Sequence, residues 1–296
     1  MLDVDINQML ISTKPSIKTS KLFNKTNSRS LIIMIPTPFY IQNEGLSVHN
    51  DGDLFHFTKA KTLFNIIDSM TIKTSSLKDL NDLNEVNVST CNLCHTDFEI
   101  ELQDFLLNRC STISFCKNYW VDGFFQEGTN HPRMWTQYAQ KNEGICLVLD
   151  EKSFVEQNKD IFSRCVYKIE DVNYLLYSEL PKPDRRNLSV LEYVIQNYKQ
   201  IFFQKHLDWQ QENERRLWGI DLPKYLNIFG AIKYICLGVH FVNKKENIRG
   251  LKDIINDSSS PCYKYLTPHS FAFTSYGKHG YYTTSAAHFF ATNKIL

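Results

Sequence analysis

The chain has 296 residues, 43% of them hydrophobic and 13% aromatic, enough to bury a full core in one large domain or two small ones. A formal charge of +1 gives no global attraction for a phosphate backbone or an anionic membrane, so nucleic acid is neither implied nor excluded. Eight cysteines are too sparse for a disulfide scaffold, and no N-terminal stretch has the pattern of a signal peptide. The longest early apolar run, LIIMIPTPFY from Leu31, is broken by two prolines and falls short of the roughly 20 residues a spanning helix needs. These bounds lead us to expect a cytoplasmic protein with reduced thiols and no membrane partner.

In chain order, residues 1–50 are rich in Ser, Thr, Asn and Lys and read as a polar N-terminal extension. The body, 51–257, opens with LFHFT as a short strand. KAKTLFNIIDSM follows as a helix with Leu63, Phe64, Ile67 and Met70 on one face. TIKTSS returns to alternating character, LKDLNDLNEVN is a polar loop and FEIELQDFLLNRC has helical spacing. STISFCK and GICLVLD read as strands. HPRMWTQYAQKNEG between them reads as a short helix closed at Gly144, where glycine can turn left-handed. Ser189 and Glu192 have capping-box spacing. They open a helix striped by Leu191, Val194, Ile195, Tyr198, Ile201 and Phe202 that runs to about His206. RRLWGI and AIKYICLGV are late strands and NIRGLKDII a surface helix, while 258–296 is a C-terminal extension without periodicity. Strands and helices mix without regular alternation, which favours an α+β architecture.

Several motifs invite chemistry. CNLCH, Cys91 to His95, has the haem-attachment pattern, but that chemistry belongs to exported proteins, and the other cysteines lie singly in apolar strands where a thiol packs as a small hydrophobe. Asp79, Asp82 and Glu85 offer hard oxygen ligands for magnesium, yet the same run describes a turn whose side chains cap the backbone, and no metal site is expected. No phosphate loop, nucleophile elbow or zinc helix occurs. His56 sits in a strand between two phenylalanines, and Trp135 and Tyr138 share a helix face. In KHLDWQQENERRLW, Glu212 and Glu214 point the same way if the segment is extended, and Arg216 joins them. The competing reading is a solvated charge run.

The segments LFHFTKAKTLFNIIDSM, STISFCKN, MWTQYAQKNEGICLVLD, KHLDWQQENERRLW and AIKYICLGV together resemble the bacterial domain of unknown function 2971 family, over about Leu54 to Ile255. The most specific parts are Met-Trp-x-x-Tyr-Ala running into Gly-Ile-Cys-Leu, and Glu-x-Glu-x-Arg after a lysine and a tryptophan. One departure is the loop Asn81 to Glu85, which lacks that family's proline and aromatic. The family in turn resembles ADP-ribosyltransferases, especially their DNA-modifying toxin branch. The resemblance implies an ADP-ribosyltransferase-like split mixed sheet with flanking helices around an NAD-type cleft. NAD would be the co-substrate, with ADP-ribose passing to an unidentified protein or nucleic-acid acceptor in a toxin or phage-defence role. It implies that His56 and Thr58 hold the adenosine-side ribose and that Tyr138 or Trp135 stacks near nicotinamide. Glu214 would bind the hydroxyl of the nicotinamide ribose, and Glu212 would face the acceptor or orient Glu214. Arg216 or Arg133 could meet the pyrophosphate with paired donors. A non-catalytic nucleotide or nucleic-acid binding module, and a metal-dependent nuclease using Asp82 and Glu85, are the alternatives.

Overall fold

The computed structural model describes residues 52–79, 97–121, 124–176, 189–256, 270–277 and 280–285. The N-terminal extension, the loop carrying Asp82 and Glu85, and Cys91 to His95 lie outside them. Strands β1 to β5 are Asp53–Thr58, Thr71–Lys73, Ser75–Ser76, Cys110–Cys116 and Tyr119–Val121. Strands β6 to β10 are Phe124–Gln126, Ile145–Asp150, Val166–Asp171, Asn173–Leu175 and Gln204–His206. Strands β11 to β15 are Glu214–Ile220, Tyr225–Asn227, Ile232–Leu237, Phe271–Gly277 and Gly280–Ser285. Helices α1 to α4 are Ala60–Ser69, Asp97–Arg109, Pro132–Gln137 and Glu151–Gln157. Helices α5 to α7 are Lys159–Phe162, Val190–Phe202 and Lys245–Asn256.

The main sheet has the order β15-β14-β13-β7-β1-β4-β11-β8, with β3 added on β4. It is mixed, because β13 and β14 run parallel while the other neighbours along this path are antiparallel. The α+β class therefore holds. Residues 271–277 and 280–285, inside the stretch read as an extension without periodicity, form a hairpin that joins the sheet through β13. Their Ser, Thr and Tyr side chains hide the strand pattern because a terminal pair need not carry a continuous apolar face.

One junction in the sheet differs from the rest. Strand β1 pairs with β7 along its whole length, from Asp53↔Asp150 to Thr58↔Ile145, but with β4 only at Phe55↔Cys116. Farther along the same edge, β4 turns to β3, at Ser75↔Thr112 and Ser76↔Ser111. The carbonyl oxygen of Ser114, between these points, meets His56 Nδ1 at 3.2 Å. A carbonyl only accepts, so Nδ1 carries the proton and the neutral ring keeps Nε2 as an acceptor. The sheet thus parts between β1 and β4.

Three apolar clusters fill the layers. The largest joins Leu54, Ile113, Leu147, Leu217 and Ile235 of the sheet to Leu63 and Ile67 of α1, Phe154 of α4 and Leu251 of α7. A second sets Leu102 and Leu106 of α2 and Tyr193, Val194 and Phe202 of α6 against Cys110, Trp218 and Ile220. The third places Trp135 and Ala139 over Phe55, Phe57, Cys146 and Val148.

Two helix ends differ from expectation. The capping box of α6 is present, with Glu192 N–H donating to Ser189 Oγ at 3.3 Å and Ser189 N–H to Glu192 Oε2 at 2.9 Å. Its buried side chains are Val190, Tyr193, Val194, Ile201 and Phe202, while Leu191 and Ile195 are 41% and 39% exposed. A non-helical Asn197, φ −113°, whose side-chain amide donates to Tyr193 O at 2.8 Å, interrupts the helix and shifts the phase of the stripe. The helix ends at Phe202, and Gln204–His206 instead pairs in parallel with β9. Helix α3 likewise stops at Gln137, and the left-handed positions are Gln140, Lys141 and Asn142 (φ 50°, 53° and 69°) rather than Gly144. Glycine is required at 144 for a different reason, since a Cβ there would stand 2.2 Å from the carbonyl oxygen of Thr58. Gly144→Ala is accordingly expected to cost about 2 kcal/mol through overpacking, read as a lower denaturant midpoint; an unchanged midpoint would contradict this close approach.

Candidate functional site

Where β1 and β4 part, a cavity of about 180 Å³ opens. Its walls include His56 of β1, Thr112, Ser114 and Cys116 of β4, Tyr138 just beyond α3, Lys205 of β10, and Glu214 and Arg216 of β11. Trp209 and Glu212 join them from a 3-10 turn, Leu207–Glu212. Lys73, Ser75 and Asp79 complete the far wall, with Lys73 Nζ 3.8 Å from Asp79 Oδ2.

The register of β4 and β11 explains the face. Glu214 lies opposite Cys116, Arg216 opposite Ser114 and Trp218 opposite Thr112, so these side chains share one side of the sheet. Farther along the same side, Trp218 and Ile220 pass into the α2–α6 cluster. Cys116 belongs to the cluster under Trp135. The charged residues occupy the interval between two apolar packings.

Glu214 and Arg216, two apart on a strand, do point together. Arg216 Nε donates to Glu214 Oε1 at 2.6 Å, and its Nη1 donates to Phe202 O at 2.7 Å. Glu212 does not share their strand. It ends the 3-10 turn, and Asn213, left-handed at φ 46°, separates it from β11. The two carboxylates meet through a third group instead. Lys205 Nζ donates to Glu212 Oε2 at 2.8 Å and to Glu214 Oε2 at 3.4 Å, and lies 4.7 Å from the centre of the Trp209 ring. Tyr138 donates to Glu212 Oε1 at 2.7 Å, and the Glu214 amide donates to the Tyr174 hydroxyl at 2.9 Å. Glu212, Glu214 and Arg216 are each 3% exposed or less, so a solvated charge run does not describe them.

The electrostatics follow from this packing. Burial alone would raise the Glu214 carboxyl, but Arg216, Lys205 and a hydrogen bond from Ser114 outweigh it and bring the pKa down to about 2. Burial, and then the neighbouring Glu212 carboxylate, push the Tyr138 hydroxyl up, so it stays a donor. Burial, followed by both glutamates, likewise raises the Cys116 thiol, which donates to Glu212 O at 3.1 Å. Burial lowers His56, partly offset by its bond to Ser114, and the ring is neutral near pH 7.

Of the other residues singled out from sequence, Thr58 pairs with Ile145 and is not in the cavity wall. Trp135 is wholly buried in the core, its Nε1 donating to Thr129 O at 2.6 Å and its ring edge-on to Phe57. Arg133 is also outside the wall; its Nη1 donates to Asp208 O at 3.1 Å, and the guanidinium lies 5.3 Å from the Trp209 ring. Lys205, Trp209 and Tyr174 carry no role in the sequence reading. The first two stand in KHLDWQQENERRLW, just ahead of Glu-x-Glu-x-Arg, whereas Tyr174 gives no signal at all. His131, just before α3, holds the 3-10 turn through a bond from Nε2 to Gln211 O. Among the described residues, no group of three or more His, Cys, Asp or Glu is arranged to hold a metal ion, and no helix is long and apolar enough to cross a membrane.

Comparison with known proteins bears on this same wall. Residues 134–217 match the model of a family described as "Protein of unknown function (DUF2971)". The matched stretch carries Tyr138, Lys205, Trp209, Glu212, Glu214 and Arg216, and leaves out His56. No curated protein and no solved structure matches the chain.

Because the folded pKa of Glu214 lies below its ordinary 4.5, its ionisation contributes stability that is fully present above about pH 4.5 and is lost as pH falls toward 2. Chemical denaturation across that window should show the wild type losing more stability than Glu214→Gln. Parallel losses would mean that the buried pairing adds nothing.

Proposed function

We propose that this cavity takes the nicotinamide-ribose end of NAD and cleaves its glycosidic bond, passing ADP-ribose to a macromolecule or to water. The observation that carries the reading is a buried, ionised Glu214 held in one cavity with His56, Tyr138 and a second carboxylate. As nicotinamide departs, the sugar carbon gains positive charge, and a fixed carboxylate lowers the free energy of that state. Arg216 and Lys205 hold the Glu214 carboxyl below its ordinary range, so it is ionised near neutral pH. Glu212 stands beside it, on a separate element, where an acceptor nucleophile would need a base. A volume of about 180 Å³ is below the 300–1,000 Å³ usual for drug-sized ligands, so the cavity encloses one end of a dinucleotide and leaves the remainder outside. A toxin or phage-defence role rests on the resemblance described above.

A second reading is favoured by one feature. All four carboxylate oxygens already have donors, with two anions set against two cations. A non-catalytic module would grip a polar ligand by exchanging those bonds. Incubation with NAD and assay of released nicotinamide separates the two. Turnover in the wild type, reduced about a hundredfold in Glu214→Gln with the thermal transition retained, is the expected result. Binding of NAD without release supports the module, and equal turnover in the variant would falsify the role given to Glu214.

A further inference from the structure

Lys205 has no role assigned so far, and its surroundings define one. Phe202 ends α6 and His206 begins the approach to the 3-10 turn, so the three residues of β10 are pinned against β9. That pairing carries Lys205 inward, where its side chain is 7% exposed. Its ammonium is within hydrogen-bond reach of both glutamates, and those glutamates belong to different elements. Each carboxylate has a further donor, Tyr138 for Glu212 and Arg216 for Glu214. Lys205 ties the 3-10 turn to β11 through charge.

We infer that Lys205 is the positioning residue of the site: it bridges Glu212 and Glu214, fixing the distance between them and allowing both to be anions at once. The inference rests on the functional reading above for its catalytic meaning. Two carboxylates brought together in a buried cavity repel, and without a shared cation one of them takes a proton. The titratable and charged groups facing the ammonium are Glu212 from the turn, Glu214 and Arg216 from β11, Tyr138 beyond α3, Tyr174 of β9, Cys116 of β4 and His56 of β1. Lys73 and Asp79 stand on the far wall, and Arg133 lies against Trp209 from outside it. Tyr138 and Cys116 are held protonated, His56 is neutral and Arg216 binds Glu214, while the Lys205 ammonium reaches both carboxylates.

The test uses the full chain and three variants: Lys205→Met, Lys205→Arg, and Lys205→Met combined with Glu212→Gln. Lys205→Met should melt about 10 °C below the wild type, as expected for one partner removed from a buried ion pair. Its folded-state carboxyl pKa is then raised, which adds stability at low pH and removes it as pH rises. The deficit should therefore shrink between pH 8 and pH 5.5. Adding Glu212→Gln removes the repulsion and should restore most of the melting temperature. In nicotinamide release, the acid limb of the pH profile should move up by about one unit or more in Lys205→Met and stay in place in Lys205→Arg, whatever the rate. If the single and double variants melt alike with the same pH slope, or if the acid limb does not move, the bridging role is wrong. Should the wild type release no nicotinamide, the functional reading falls, and the melting comparison still decides the role of Lys205.

Discussion

The organisation of this protein depends on how one strand edge is shared. Strand β4 is fully paired with β11 on one side, but its other edge is divided between β3 and a single position of β1. Backbone groups left between two such partners must find acceptors or donors elsewhere, and the imidazole of His56 takes the carbonyl of Ser114. Beyond that one position β1 and β4 diverge. Their separation leaves room between two hydrophobic clusters, and that room holds the buried charges.

Burying two carboxylates, a lysine and an arginine is costly unless each is compensated. Here compensation is local and nearly complete. Arg216 reaches Glu214 along its own strand and uses its other end on the terminal carbonyl of α6, while Lys205 serves both acids. Such an arrangement adds little net stability compared with a well-packed apolar core. Its value lies in geometry, because each charged group limits where the others can sit. On the opposite face, Arg215 binds Glu151 at 2.5 and 2.8 Å and Asp171 at 2.9 Å, which clamps the start of β11 to α4 and β8. Glu214 is thus followed on β11 by two ion-paired arginines whose side chains leave the strand in opposite directions.

Much of the sheet was legible in the sequence, since β1, β4, β7, β11 and β13 carry apolar runs that only strands bury well. The start of α6 was legible because Ser189 and Glu192 are a physical cap, not a statistical hint. Its end was not, because the apolar spacing continues past Asn197 while the backbone does not. That misreading also hid Lys205, which helical spacing would have placed on an exposed turn. Within the site, the Glu214 and Arg216 partnership followed from the two-residue repeat of a strand. The approach of Glu212 depended on one left-handed residue; asparagine adopts that conformation more readily than most, but its type alone does not fix where the chain reverses. Tyr174 reaches the site from an edge strand forty residues away in sequence. Trp135 looked like a ring for stacking, but its indole is used up by Thr129 and Phe57 in the core, and Trp209 and Tyr138 are among the aromatic side chains that line the cavity.

The reversal at Asn213 divides the acidic pair mechanically. One acid rides on a strand secured at both edges, whereas the other terminates a short 3-10 segment held by side-chain contacts. Substitutions in that turn could therefore reshape what approaches the second acid while the first keeps its place. A scaffold of this kind separates the part that must not change from the part free to diversify.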